Sequence, residues 1–240
     1  MRKRSCFFTS AGDNSNLCNY IANNKEILNE FDFIVNYHDK NDDVYKWLGS
    51  YVTHMERGIS TKFLALKRMY KTYHMEKYDS VFVFDDDAIL RRGSYLTLRD
   101  LLTSYKLDLL SPVHSMNGKI TYGELGYQRG EHIFRRINFI EMNFPIFSGE
   151  ALGRYMEVYD GSLSGYGNDW WYLNVLGTDN CGVCDDVEVE NPLNKDKSSC
   201  IDNYKSFEER KGEFVDLCRR KGMRFWEIKT MEYVKKTTIR

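Results

Sequence analysis

At 240 residues with a formal net charge of −1, the chain is long enough for one α/β core and too nearly neutral to hold a nucleic acid by its overall field. Hydrophobic residues make up 42% and charged residues 29%, and only three prolines occur, which excludes a disordered or linker-dominated chain. The aromatic content of 15% is high enough to supply flat ligand surfaces as well as core.

The basic start MRKR is followed by an apolar run too short for a signal-peptide core, and no window approaches the ~18 apolar residues of a membrane span. A cytoplasmic protein without an integral membrane segment is therefore expected. Cys6, Cys18, Cys181, Cys184, Cys200 and Cys218 are scattered through a chain that does not need staples, so they are expected to be reduced. The CxxC pair at 181 to 184 has no second pair and no nearby histidine, and it reads as core thiols rather than a zinc or redox site.

SCFFTSA reads as a first strand, the polar GDNSN as its turn, and LCNYIANNKEILNEF as a helix with Leu17, Tyr20, Ile21, Ile27 and Leu28 at helical spacing. DFIVNYH is a second strand. GISTKFLALKRMYKTYHMEKY offers a Ser60 or Thr61 cap and an apolar stripe at Phe63, Leu66, Met69 and Tyr70, and it leads into the strand SVFVF. SYLTLRDLLTSY is another helix and LDLLSPV another strand, so residues 1–115 read as a parallel, nucleotide-binding half.

From about 116 to 200 the pattern changes character. This stretch holds one or two strands in HIFRRINFIEMNFPIFS, the helix GEALGRYMEVY, the glycine-rich GSLSGYGNDWWYLNVLG and the strand CGVCDDVEV. A helical tail, 201–240, follows, in which MRFWEIKTMEYV closes the fold. No repeat, low-complexity tract or linker interrupts the chain, and the whole is expected to form a single α/β domain with a mixed, mostly parallel sheet flanked by helices.

Two stretches carry chemistry. In VFVFDDDAIL, a buried strand runs into Asp85, Asp86 and Asp87, at the carboxyl end where open α/β sheets bind ligands. Extended geometry would point Asp85 and Asp87 the same way and Asp86 elsewhere. Such carboxylates repel unless a cation sits between them, and Mg2+ or Mn2+ would fill its other positions with water and phosphate oxygens, implying a diphosphate-bearing ligand. The plainer alternative is a set of exposed caps at a strand-to-helix turn.

In GYGNDWWY, Gly165 and Gly167 allow a close backbone approach, and Asp169 begins a helix. Asp169 reads as an N-cap or as a general base. The flanking Tyr166, Trp170 and Trp171 offer ring faces for sugar, and the two roles of Asp169 are compatible.

With these stretches in view, the sequence resembles glycosyltransferases of the GT-A fold, in which an apolar strand ends in Asp-x-Asp and a Gly-x-Gly-x-Asp loop follows. It is most similar to a little-characterised plant and bacterial group. VFDDDAI, IEMNFPIFS, GYGND and VCDDVEVEN match that group's motifs in order over residues 81 to 191.

The resemblance implies a nucleoside-diphosphate-sugar donor, a glycan or glycoconjugate acceptor and a divalent cation, with residues from about 116 to 200 as the acceptor-binding half. It implies that Asp85 contacts the ribose or the metal, that Asp87 is the main metal ligand, and that Asp169 is the base, with inversion of configuration. Glu141 would lie toward the acceptor sugar and Asp185 near the site. Thr9, Ser10 and Ala11 would meet the base and ribose, or form an ordinary turn. Lys62 would approach the diphosphate, or line a solvated helix face, and Arg135 and Arg136 an anion or a polar strand face.

The group's last motif ends in His where this chain has Asn191, which implies a weakly held metal. Two alternatives stand beside transfer: a catalytically degenerate carbohydrate- or nucleotide-binding protein of the same fold, and a sugar nucleotidyltransferase. The second would be expected to carry a basic loop after the first strand, and TSAGDNSN has no Lys or Arg.

Overall fold

The computed structural model describes residues 5–24, 26–128, 132–193 and 205–235. The basic start, Cys200 and both ends of the expected tail (201–204 and 236–240) lie outside the described residues. The five described cysteines Cys6, Cys18, Cys181, Cys184 and Cys218 are free thiols.

The first half alternates strand and helix. In order come β1 (Ser5–Ala11), α1 (Asn16–Asn23), α2 (Ile27–Glu30), β2 (Phe31–Tyr37), α3 (Asp42–Gly49), β3 (His54–Arg57), α4 (Lys62–Thr72), β4 (Ser80–Val83), β5 (Ile89–Arg92), α5 (Tyr95–Ser104) and β6 (Leu109–His114). The second half adds β7 (His132–Ile137), β8 (Ile146–Ser148), α6 (Gly149–Val158), α7 (Asn168–Leu176), β9 (Cys181–Glu190), α8 (Phe207–Lys221) and β10 (Thr230–Lys235).

Among the described residues the strands form one sheet in the order β10-β7-β9-β6-β8-β4-β1-β2-β3, with β5 paired to β9. The pairings make β5, β7 and β8 run against the rest, so the sheet is mixed and mostly parallel.

Alternation along the strands builds a core on each face. Phe8, Val81 and Val83 face α4, α6 and α7, packing with Phe63, Leu66, Leu152, Tyr155 and Tyr172. Phe7, Phe82 and Phe84 face α1 and α5, packing with Leu17, Ile21, Tyr95 and Leu98. The stripe of Phe63, Leu66, Met69 and Tyr70 is therefore the buried face of α4, as its spacing requires.

Several elements differ from the sequence expectation. The helix predicted over 17–31 is broken into α1 and α2. An unforeseen α3, capped by Asn41 through its side chain, and the short polar strand β3 extend the parallel edge. The strand predicted after residue 181 is ten residues long and carries a bulge: Pro112 and Val113 of β6 are neighbours, yet their partners on β9 are Cys184 and Glu188. At that bulge β9 changes its second neighbour from β7 to β5.

The tail fastens the second half. A capping box between Ser206 and Glu209 starts α8, and Gly222 in the left-handed region ends it. Beyond it, β10 pairs antiparallel with β7.

Candidate active site

The three aspartates follow β4 in a turn rather than an extended run, with the Ala88 amide donating to Asp85 O at 3.3 Å. Strand alternation therefore stops at Asp85, and other contacts decide where each carboxylate goes. Asp86 turns back to the first βα loop, where its Oδ2 accepts from the Gly12 amide at 3.0 Å and its carbonyl accepts from Leu17 N and Ser15 Oγ. Asp87 is buried, and its carbonyl accepts from the Asn16 amide side chain at 3.0 Å.

Asp85 meets a cation supplied by the chain itself. Lys62 Nζ lies 2.7 Å from Asp85 Oδ1 and also donates to Met142 O at 2.6 Å and Asn143 O at 3.2 Å. Lys62 is only 8% exposed, so it does not lie on a solvated helix face. The Asp85 amide donates to Asn143 O at 2.9 Å, which draws the 141–143 segment alongside the acidic turn.

That segment brings up Glu141, and α7 brings up Asp169 from the other side. Asp169 is 7% exposed, and its Oδ1 accepts from the Trp170 amide at 2.9 Å. Burial pushes its carboxyl up to about 6, against the pull of the Trp170, Asp169 and Met142 amides and the charge on Lys62. Burial likewise pushes Glu141 up to about 7, opposed by a Thr121 hydrogen bond and reinforced by the charges on Asp169 and Asp85. Lys62, Asp85, Glu141 and Asp169 thus lie within electrostatic reach of one another.

Sequence reasoning missed several neighbours of this group. Tyr122, whose hydroxyl burial pushes up to about 12, feels Asp169, Glu141 and Tyr166 and accepts from the Trp170 indole. His114 closes β6 and is fully buried, with neither ring nitrogen hydrogen-bonded. Its Nδ1 is 3.6 Å from Glu141 Oε2, an oxygen that also has no hydrogen-bond partner. Burial lowers His114 to about 4, so the ring is neutral at pH 7. The available signal was positional: a histidine at the carboxyl end of a strand that runs parallel to its sheet neighbour.

Other expected site residues are arranged differently. Trp171 is sealed in the core against Tyr155 and Tyr159, so its ring offers no sugar-stacking face. Trp170 is half-buried among Phe139, Phe225 and Trp226, while Tyr166 is exposed beside Phe207 and Phe214. Gly167 has φ +86°, and a Cβ there would sit 2.0 Å from the Phe214 ring, so the helix α8, not a ligand, accounts for this glycine. Gly165 is buried, and its carbonyl accepts from the Asn168 side chain.

Asp185, on the β9 bulge, has both oxygens engaged. Arg135 donates to it through Nε at 2.8 Å and Nη2 at 3.1 Å, His132 Nε2 lies 3.0 Å away, and the Gln128 amide donates at 3.3 Å. Arg135 is fully buried rather than on a polar strand face, and Arg136 pairs with Glu232 of β10. At the end of β1, Thr9 and Ala11 are buried, and Ser10 accepts from Asn36 at 2.9 Å while donating to Ser60 O.

The backbone is similar to that of GalNAc-T7, solved with UDP, GalNAc and Mn2+: the TM-score is 0.63 at 11% identity, over 90% of this chain and 48% of that one. It is also similar to S. aureus TarS 1-349, with a TM-score of 0.54 at 10% identity over 91% of this chain and 74% of that one. The complex of TarS 1-349 with UDP-GlcNAc gives 0.52 at 11% identity over 90% and 66%. The fold is that of the GT-A glycosyltransferases. The chain spans about half the length of the GalNAc-T7 chain it matches. No family model and no curated protein matches the sequence.

In the GT-A frame, the remaining question is what would hold a divalent cation. Among the described residues no three His, Cys, Asp or Glu side chains converge on one point. Asn191 follows Glu190, which pairs in the β5–β9 ladder with Ile89, two residues after Asp87. Asn191 Oδ1 is buried with no hydrogen-bond partner. A carboxylate and an amide oxygen are hard donors, and they fit a hard cation that draws its remaining ligands from water and phosphate. Among the described residues no helix is long and apolar enough to cross a membrane.

Proposed function

We propose that this chain is a glycosyltransferase that moves a sugar from a nucleoside-diphosphate sugar to a hydroxyl of a glycan acceptor, with inversion. The observation that carries this reading is the desolvated Asp169 held beside Glu141 and the Lys62–Asp85 pair, where β4 ends in a GT-A fold. The neighbours' UDP, UDP-GlcNAc and GalNAc support a sugar nucleotide as the donor.

The chemistry assigned to each residue follows from its surroundings. Asp169, held near 6 by burial, is ionised at neutral pH yet a stronger base than an exposed carboxylate, which suits removal of a hydroxyl proton. The deprotonating acceptor oxygen attacks the anomeric carbon from the face opposite the diphosphate, and the bond to the diphosphate breaks through an oxocarbenium-like state. Glu141 orients the acceptor by accepting a second sugar hydroxyl. Asp85, fixed by Lys62, faces the donor ribose, and the ends of β1 and β2 receive the base. Held by Asp87 and Asn191, a divalent cation would neutralise charge on the departing diphosphate.

The decisive measurement is a thermal-shift panel of nucleotide sugars, followed by transfer assays on the donor that stabilises most. A flat response to every nucleoside diphosphate would remove the proposal. One second reading has support: Asn191 stands where the resemblance implies a histidine, and Lys62 occupies Asp85, as would suit a degenerate binding protein of the same fold. It predicts that wild type and Asp169→Asn bind the donor equally and that neither transfers sugar to any acceptor.

A further inference from the structure

The Lys62 ammonium carries three protons, and three acceptors surround it: Asp85 Oδ1 at 2.7 Å, Met142 O at 2.6 Å and Asn143 O at 3.2 Å. No donor is left for a diphosphate. The lysine is buried at the amino end of α4, and its two carbonyl acceptors lie about eighty residues downstream, so its position is fixed by tertiary packing rather than by helix geometry alone.

We propose that Lys62 is the resident cation of Asp85 and a positioning residue: it removes Asp85 from the divalent-metal ligand set and ties the donor-side acidic turn to the acceptor-side 141–143 segment. This rests on the site being a nucleotide-sugar site. An ammonium in contact with a carboxylate neutralises both of its delocalised oxygens and repels a second cation nearby, so Asp85 is a poor metal ligand while Lys62 stays in place. The proposed metal ligands are then Asp87 and Asn191.

The sign of the effect is unusual, because removing a lysine should strengthen metal binding. Mn2+ alone is titrated into wild type, Lys62→Met, Lys62→Arg and the double variant Lys62→Met/Asp85→Asn, with free Mn2+ read by electron paramagnetic resonance. Lys62→Met is expected to bind Mn2+ about tenfold more tightly than wild type, by relief of the like-charge repulsion. Lys62→Arg should match wild type, and the double variant should lose the gain.

Where Lys62→Met does not fold, Asp85→Asn and Asp87→Asn in the wild-type background answer the same question. Asp85→Asn, which leaves the Lys62 charge uncompensated, should weaken Mn2+ binding only through that repulsion and by less than Asp87→Asn, which removes a ligand and should weaken it by about tenfold or more. Equal affinities for wild type and Lys62→Met, including no binding by either, overturn the proposal, as does a loss in Asp85→Asn as large as that in Asp87→Asn. UDP titrated into wild type separates the two failures: absent UDP binding counts against the nucleotide-sugar site, whereas UDP binding with these Mn2+ outcomes counts against Lys62 alone.

Discussion

Asp185 on β9 and Asp169 on α7 are both buried carboxylates, and their surroundings are opposite in kind. Asp185 is met by a bidentate Arg135, by His132 and by the Gln128 amide, so that both of its oxygens are occupied. Asp169 has backbone amides and the distant charge of Lys62, and burial still lifts it to about 6. Its neighbour Glu141 rises to about 7 and keeps one oxygen without a hydrogen bond, facing a histidine in the same condition. Buried polar groups are normally satisfied, so a fully paired cluster marks architecture and an underpaired one marks a place left ready for a ligand. The Arg135 cluster stitches the β9 bulge to β7 and the 124–128 loop, whereas beside Asp169 it is Glu141 and the His114 facing it that are short of partners.

The sharpest way to break this contrast is to neutralise each carboxylate in turn. Asp169→Asn removes the proposed base and should lower turnover by 10²–10⁴-fold with little change in donor affinity, as read by steady-state kinetics and a donor titration. Asp185→Asn should act on the fold instead. Leaving Arg135 buried without its charge partner should destabilise the protein by about 3–5 kcal/mol in guanidinium unfolding. Equal stability in Asp185→Asn and wild type would mean that the Arg135 cluster is not the architectural element its contacts suggest.

The same substitution at Asp169 should stabilise the protein. Its folded value of about 6 lies above the ordinary 3.8, so the native state prefers the protonated form. That stabilisation is complete below about pH 4 and is lost as the pH rises through 6. At pH 7.5 the ionised group therefore opposes folding by on the order of 3 kcal/mol, and an uncharged Asn relieves it. Melting temperature in Asp169→Asn should rise by several degrees at pH 7.5, at roughly 2–4 °C per kcal/mol, and little at pH 4.

The sequence set Asp169 at a helix start and Asp185 on a predicted strand, but it did not show the partners of either. What separates their surroundings is Arg135 on β7, fifty residues before Asp185, and the absence of any such arginine against Asp169. The order of strands and helices was legible because the short, mainly apolar runs FDFIVNY and SVFV and the stripe on α4 are local signals. β3 and β5, HMER and ILRR, carry no alternation and exist through pairing with β2 and β9. Lys62 was visible as a helix residue, but its burial depends on carbonyls of residues 142 and 143, which no periodicity near residue 62 announces. Strand geometry also misplaced the acidic run, since hydrogen bonds from Gly12, Ser15 and Leu17 fold Asp86 into a turn.

A finer test of the contrast is the pH dependence of transfer. A base must be ionised, so kcat/KM should rise with pH through an apparent value near 6 and flatten above it. The charge on Asp169 raises Glu141, so the two titrations are linked and the limb belongs to the pair rather than to either residue. Glu141→Gln removes the like charge and should move the limb to lower pH by a fraction of a unit, with a higher acceptor KM and a smaller change in kcat. Asp185→Gln, assayed where it remains folded, should leave the limb in place. A limb that moved equally in both would mean that the two buried centres share one electrostatic environment, and the distinction between a paired and an underpaired carboxylate would then say nothing about which one touches substrate.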